Sequence, residues 1–155
     1  MSTTTYATRL PWTDRWTRPT IEQLLEPLGE QHREGFTELI QQLDSLDHVE
    51  RELVWYGASW RWTVQYSLLD DQGDNLGALC YLVANLNAPL VCVPLNTTSL
   101  EAMPTRRLGR FINEGLRSAK RAVELHWAKW TPNSLAETKL LFDLIKRKIK
   151  ITRTA

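Results

Sequence analysis

Apolar residues recur along the chain with two different periods. From residue 20 to residue 46 the spacing is helical. Thr20 followed by Gln23 forms a capping box for a short helix that buries Leu24, Leu25 and Leu28, and Pro27 and Gly29 keep it short. A second helix begins near Gln31, with Phe36, Leu39, Ile40, Leu43 and Leu46 on one side. After Val49 the period drops to two. In WRWTVQYSL, Trp60, Trp62, Val64, Tyr66 and Leu68 fall on one face and Arg61, Thr63, Gln65 and Ser67 on the other, which makes this the clearest strand. Leu53 to Tyr56 precedes it across Gly57. The polar turn DDQGDN leads into LGALCYLV, and ANLNA leads into PLVCVPL, so a four-strand antiparallel meander is the simplest arrangement. Pro94 ends the last of these strands or marks an edge.

Helical spacing returns after Pro104. Leu108, Phe111, Ile112, Leu116 and Ala119 form an apolar band with Gly115 as its expected break, and Arg106, Arg110, Arg117 and Arg121 fall on nearly the opposite side. AVELHWAKW reads as a further strand. Ser134 with Glu137 then caps a closing helix whose Leu135, Leu141, Phe142, Ile145 and Ile149 face inward. Residues 1–19 are threonine-rich and broken by Pro11 and Pro19, so they read as an arm without regular structure, with Trp12 and Trp16 expected to dock against the body. The pattern predicts one α+β domain over residues 20–152: an antiparallel sheet of about five strands with helices packed on one face. The other face is left to solvent, to a ligand or to a second copy of the chain in a homodimer.

Composition narrows this picture. At 155 residues and 43% apolar, the chain can bury a core without metal or disulfide staples. Two cysteines, Cys80 and Cys92, cannot make a secreted disulfide framework. The N-terminus shows no apolar signal core and no apolar run nears the ~20 residues of a membrane span, so a cytoplasmic protein without a membrane partner is expected. The net charge of +1 hides an asymmetry: residues 1–100 carry six arginines, no lysine and thirteen acidic side chains, and residues 101–155 carry thirteen basic and five acidic ones. The two halves can steer a partner or face and neutralise each other.

The run WYG at residues 55–57, Trp62, and LCYL at residues 79–82 together resemble a family of small bacterial proteins labelled domain of unknown function 3788. The likeness covers most of residues 19–150. It implies an α+β fold and brings no activity, cofactor or catalytic residue with it. Arg61 stands where that family usually has glycine, and ANLNAP replaces its Pro and Gly after the Tyr-Leu strand. A distant likeness to small frataxin-like iron-binding proteins is set aside for want of a dense acidic helical ridge.

Chemical motifs are sparse. His32, His48 and His126 lie on different elements with no second histidine or cysteine at ligand spacing, so neither a metal nor another cofactor is expected. There is no GxSxG elbow and no phosphate-cradling glycine loop. Asp70, Asp71 and Asp74 read as turn formers. A hairpin symmetric about Leu86 would set Cys80 opposite Cys92, close enough to oxidise, whereas a one-residue slip would put them on opposite faces.

Aromatic residues outnumber the places on one core stripe. The leading expectation is therefore a non-catalytic domain that binds a small molecule or a protein through the second sheet face, using Arg61, Gln65, Tyr56, Tyr81, His126 and Trp130. Nucleic acid is a less favoured partner. That alternative is an accessory protein contacting phosphates through Arg106, Arg110, Arg117 and Arg121, a helical stripe of ~23 Å. A small enzyme of unknown reaction is the third reading, with His126 beside Glu124 as its acid–base group.

Overall fold

A computed structural model, which describes residues 14–86 and 88–154, joins six strands into one antiparallel sheet. Strands β1 (Val49–Trp55), β2 (Trp62–Leu69), β3 (Asn75–Val83) and β4 (Leu90–Leu95) form the expected meander. A hairpin of β5 (Lys120–Ala122) and β6 (Leu125–Trp130) extends it through β6 on β4, giving the order β1-β2-β3-β4-β6-β5. The sixth strand arises because AVELHWAKW is interrupted by a turn. Val123 and Glu124 both take positive φ, 52° and 66°, the signature of a type I′ hairpin loop.

The helices are α1 (Ile21–Leu25), α2 (Glu30–Asp44), the single turn α3 (Gly57–Trp60), α4 (Thr97–Glu101), α5 (Thr105–Arg117) and α6 (Leu135–Thr154), and all but α3 cover one face. Helix α2 lies against β1, α5 against β6, and α6 runs between those two helices and across β3. Among the described residues, no helix is long and apolar enough to cross a membrane. Thr20 and Gln23 exchange both bonds of the capping box at α1, and Ser134 Oγ accepts from the Glu137 N–H at the start of α6. Helix α4 escapes the periodic pattern because it is one turn long; Asn96 Oδ1 caps it through the Ser99 N–H at 2.7 Å.

The core lies between the helices and the inner sheet face. Trp62, Val64, Tyr66 and Leu68 of β2 meet Leu82 and Cys80 of β3, Val91, Val93 and Leu95 of β4, and Ala128 and Trp130 of β6, all buried. Trp60 does not belong to this stripe. It ends α3, and β2 begins only at Trp62. The cysteines are also separated: Tyr81, not Cys80, pairs with Cys92, so the connecting loop is one residue out of the symmetric register and the two thiols lie on opposite faces. Of the arm, Trp12 lies outside the described residues. Trp16 remains 79% exposed under the Arg15 guanidinium instead of docking, and the contact with the body is made by the Asp14 carbonyl, which accepts from the Trp62 indole N–H.

The break expected at Gly115 falls at Gly109 instead. Gly109 has φ 77° and ψ 174° and interrupts α5, so the first four residues of α5 are offset from the rest. Gly115 is helical, and a β-carbon there would sit inside the Trp130 indole, whose N–H donates to the Phe111 carbonyl at 3.1 Å. A side chain at residue 115 would force α5 off the sheet.

One polar group is sunk into this core. Lys148 of α6 is 8% exposed and donates to the carbonyls of Ala78, Leu79 and Pro94 at 2.7, 3.0 and 2.5 Å. The first two flank a β-bulge, since the register steps from Tyr66↔Cys80 to Ser67↔Ala78 and leaves Leu79 unpaired. The third comes from β4 beyond its last pair with β3, where proline can offer no N–H. Lys148 therefore fills the gap where β3 and β4 part. Burial lowers its pKa from 10.5 to about 8.

Two outcomes are expected. Gly115→Ala should lower the unfolding free energy by about 1–3 kcal/mol through overpacking against Trp130, and urea denaturation that leaves the midpoint unmoved would refute the close approach. Lys148→Met leaves three buried carbonyls without a donor and should cost about 2 kcal/mol or more at neutral pH. Between pH 8 and 10.5 the unfolded chain holds a Lys148 proton that the folded chain has released, so unfolding takes up a proton and the wild type gains stability as the pH rises. The stability gap to Lys148→Met should accordingly widen across that window in denaturation curves; a gap that narrows contradicts the burial of the ammonium.

Candidate functional site

The outer sheet face acquires its relief from the β1–β2 connection. Gly57 at φ 79° and Arg61 at φ 57° bracket α3, and the Tyr56 N–H donates to the Arg61 carbonyl at 2.9 Å while the Arg61 N–H donates to the Gly57 carbonyl at 2.7 Å. This closed turn folds Tyr56 and Trp60 over the sheet. Across the strands beneath, register aligns Glu52, Gln65, Tyr81, Cys92 and Lys129 in one row, with Pro94, Trp127 and Lys120 in the next.

A cleft of about 410 Å³ results, lined by Tyr56, Trp60, Tyr81, Lys120, Ala122, Trp127 and Lys129. Tyr81, 9% exposed, forms its base. Its ring centroid lies 5.6 Å from Tyr56, 5.4 Å from Trp60 and 5.9 Å from Trp127, edge-on or tilted to each, the spacing of attractive aromatic pairs. The Trp127 indole N–H is held by the Ala122 carbonyl at 3.0 Å, which ties the ring to the β5–β6 hairpin. Tyr56 Oη donates to Gln65 Oε1. Lys129 Nζ stands 5.9 Å from the Trp60 ring centroid, within cation–π reach.

Burial pushes the Tyr81 phenol up to about 12, and burial together with the Glu52 charge raises Tyr56, so both stay protonated at neutral pH. Burial likewise raises Cys92 to about 11 and Cys80 to about 12, which denies the site a thiolate nucleophile. The charges in the cleft wall are those of Lys120 and Lys129. Among the described residues neither makes an ion pair, and no three of His, Cys, Asp and Glu gather anywhere as a metal site would need.

The structure brings together Tyr56 and Tyr81, with Gln65 bonded at the border. It separates the other expected residues from them. Arg61 is exposed and borders a small hollow of about 60 Å³ beside Leu24 and Trp62. His126 pairs across β4 with Leu95 and so faces the helices, its Nε2 3.1 Å from Thr97 Oγ1 of α4. Trp130 is in the core against Gly115. Trp60, Trp127, Lys120, Ala122 and Lys129 take their places. One signal in the chain pointed there: Lys129 shares strand parity with Trp127, and a lysine seeks water, so Trp127 and not Trp130 belongs to the open face.

The arginine stripe is also divided. Arg106 precedes the interruption at Gly109, Arg110 pairs with Glu114 at 2.8 Å, Arg117 lies on α5 beyond the interruption, and Arg121 is on β5. Arg106 and Arg117 border a hollow of about 540 Å³ with Asn113, and another of about 780 Å³ lies between α1, α2 and β1. Among the described residues, neither is lined by an aromatic ring. The second also has its Asp44 occupied, accepting from Arg51 at 2.6 Å and from the buried Tyr66 hydroxyl at 2.9 Å.

Fold and cleft together define an α+β protein with an antiparallel sheet, helices on one face and an aromatic cleft on the other. No family model, no curated protein and no solved structure matches the chain.

The hairpin that carries Lys120, Ala122 and Trp127 turns on a β-branched residue in a left-handed conformation, with Val123 89% exposed and without compensating contact. Replacing Val123–Glu124 by Asn-Gly should stabilise the protein by about 1–2 kcal/mol, since these residues adopt positive φ at lower cost. Thermal unfolding checks this, and an unchanged or lowered midpoint would show that the turn is not of this type.

Proposed function

We propose that the protein is a non-catalytic binding domain that takes a small molecule in the outer-face cleft. The observation that carries this reading is the convergence of four aromatic side chains, from α3, β3, β6 and the segment joining β1 to α3, on a solvent-open cleft away from the core. A volume of about 410 Å³ is in the range of small-molecule sites, which are lined mainly by aromatic and apolar groups with a few polar ones. The cleft offers protonated phenols, indoles and ammonium groups but no nucleophile paired with a base, which favours binding over catalysis. The resemblance to domain of unknown function 3788 implies no activity, so the reading rests on geometry. The nucleic-acid alternative is the weaker one, because the interruption at Gly109 offsets Arg106 from Arg110 and Arg117, and Arg121 lies on β5.

A fragment library screened by ¹H–¹⁵N spectroscopy tests the proposal. Binders should shift the indole N–H signals of Trp60 and Trp127 while leaving those of Trp62 and Trp130 in place, and Trp60→Ala should weaken them at least tenfold. Binders that all perturb other residues, or none in a library rich in aromatic fragments, would overturn it.

A further inference from the structure

The cleft has a charge as well as a shape. Lys120 pairs directly across the β5–β6 hairpin with Trp127, and Lys129 follows Trp127 by two residues on the same face. Two ammonium groups thus flank one indole. Among the described residues, no carboxylate lines the cleft. Glu52, the acid that raises Tyr56, belongs to β1, four strands away from Lys129 in the sheet order. With the phenols protonated, the cleft carries uncompensated positive charge at one end and uncharged ring surface at the other.

We propose that the ligand is a planar aromatic anion: a flat ring system placed over Tyr81, Trp60 and Trp127, with a carboxylate or phosphate group reaching Lys120 and Lys129. This rests on the ligand-binding reading above. Tyr81 and Trp127 are inclined by only 33° at 5.9 Å, whereas Trp60 meets Tyr81 at 56°, so the rings pack against one another and a flat guest would lie over their solvent-open faces rather than between them. An anion between two like-charged lysines relieves their mutual repulsion and gains a charge-assisted hydrogen bond from each. A neutral guest of the same shape would gain only the ring contacts. The volume accommodates two fused rings and a short acidic arm.

Four probes separate the contributions: 1-naphthaleneacetate, 1-naphthyl phosphate, the neutral 1-naphthaleneacetamide and the non-planar cyclohexaneacetate, each titrated against the Trp60 and Trp127 indole signals of the full chain. At least one of the two aromatic anions should bind tenfold or more tightly than the amide, and whichever is tighter identifies carboxylate or phosphate. Cyclohexaneacetate should bind at least tenfold more weakly than naphthaleneacetate. In the Lys120→Gln, Lys129→Gln double variant the preference for the acid over the amide should vanish while the thermal midpoint stays unchanged. Equal affinity for acid and amide in the wild type would overturn the anion proposal and leave the ligand-binding reading intact. If no probe moves the two indoles, the anion proposal falls and the fragment screen alone decides the broader reading. An oligothymidylate that moves them when the naphthalenes do not would overturn it in favour of nucleic acid.

Discussion

The ammonium of Lys148, held by three backbone carbonyls beneath the sheet, is the contact on which the arrangement of both faces depends. Ala78 and Leu79 lie at a bulge, and a bulge reverses the parity of every residue beyond it. Continued without the bulge, the pairing of Ser67 with Ala78 would set Tyr81 opposite Val64, facing the helices. With Leu79 unpaired, Tyr81 pairs with Gln65 and faces outward. The carbonyls exposed by this irregularity, and that of Pro94 on the strand alongside, would be buried without partners if α6 carried an apolar residue there. A charged donor is costly to bury, yet three charge-assisted bonds offset much of that cost and tie α6 to two strands at once. The orientation of the cleft's central ring is thus linked to a lysine on the other side of the sheet.

The two faces solve different problems. The inner one is covered by helices and follows the usual rule that aliphatic and aromatic side chains leave water together. Among the described residues the helical cover of the outer one is the single turn α3, which with the residue before it lays Trp60 and Tyr56 over Tyr81, and Val83 and Cys92 of that face are completely buried. The charge asymmetry of the sequence becomes spatial here. Glu50 and Glu52 lie on β1 at one edge, Lys120 and Arg121 on β5 at the other, so the sheet runs from an acidic border to a basic one. The aromatic cleft is at the basic end.

Much of the fold was legible because strands and helices impose distinct periods. The alternation Trp62, Val64, Tyr66, Leu68, the capping box of α1, the Ser134 cap of α6 and the i, i+3, i+4 spacing of α2 read directly into elements; Glu137 accepts from the Asn133 N–H instead of closing a second box. Register was less legible. Symmetric pairing about the DDQGDN turn would set Cys80 opposite Val64 and Leu82 opposite Trp62; in the structure they face Tyr66 and Val64. The inner face survives this error because two single-residue bulges shift the pairing by two, an even number. The β3–β4 hairpin contains a shift of one, an odd number, which is why Cys80 and Cys92 part. His126 and Trp130 were rightly given one parity but the wrong face, because that choice depends on how β6 docks on β4, a contact between segments more than thirty residues apart. Arg61 was misjudged for a local reason: Gly57 and the positive φ of Arg61 convert what alternation presents as strand into a closed turn.

That turn also sets the mechanical character of the site. Tyr81 and Trp127 sit on paired strands in a continuous sheet and are confined by the bulge and by the indole bond to Ala122. Trp60 and Tyr56 belong to a loop whose Gly57, Ala58 and Ser59 are all exposed and which is closed by two backbone hydrogen bonds. Local opening costs least where buried contacts are few and backbone bonds face water. The cleft therefore combines a base that cannot reorient without disturbing Lys148 with a wall that can lift without disturbing the core. On the proposed binding role, a guest that displaces Trp60 would have to move only that wall, and the rings it then met would already be in place, so little of the binding energy would be lost to ordering the site.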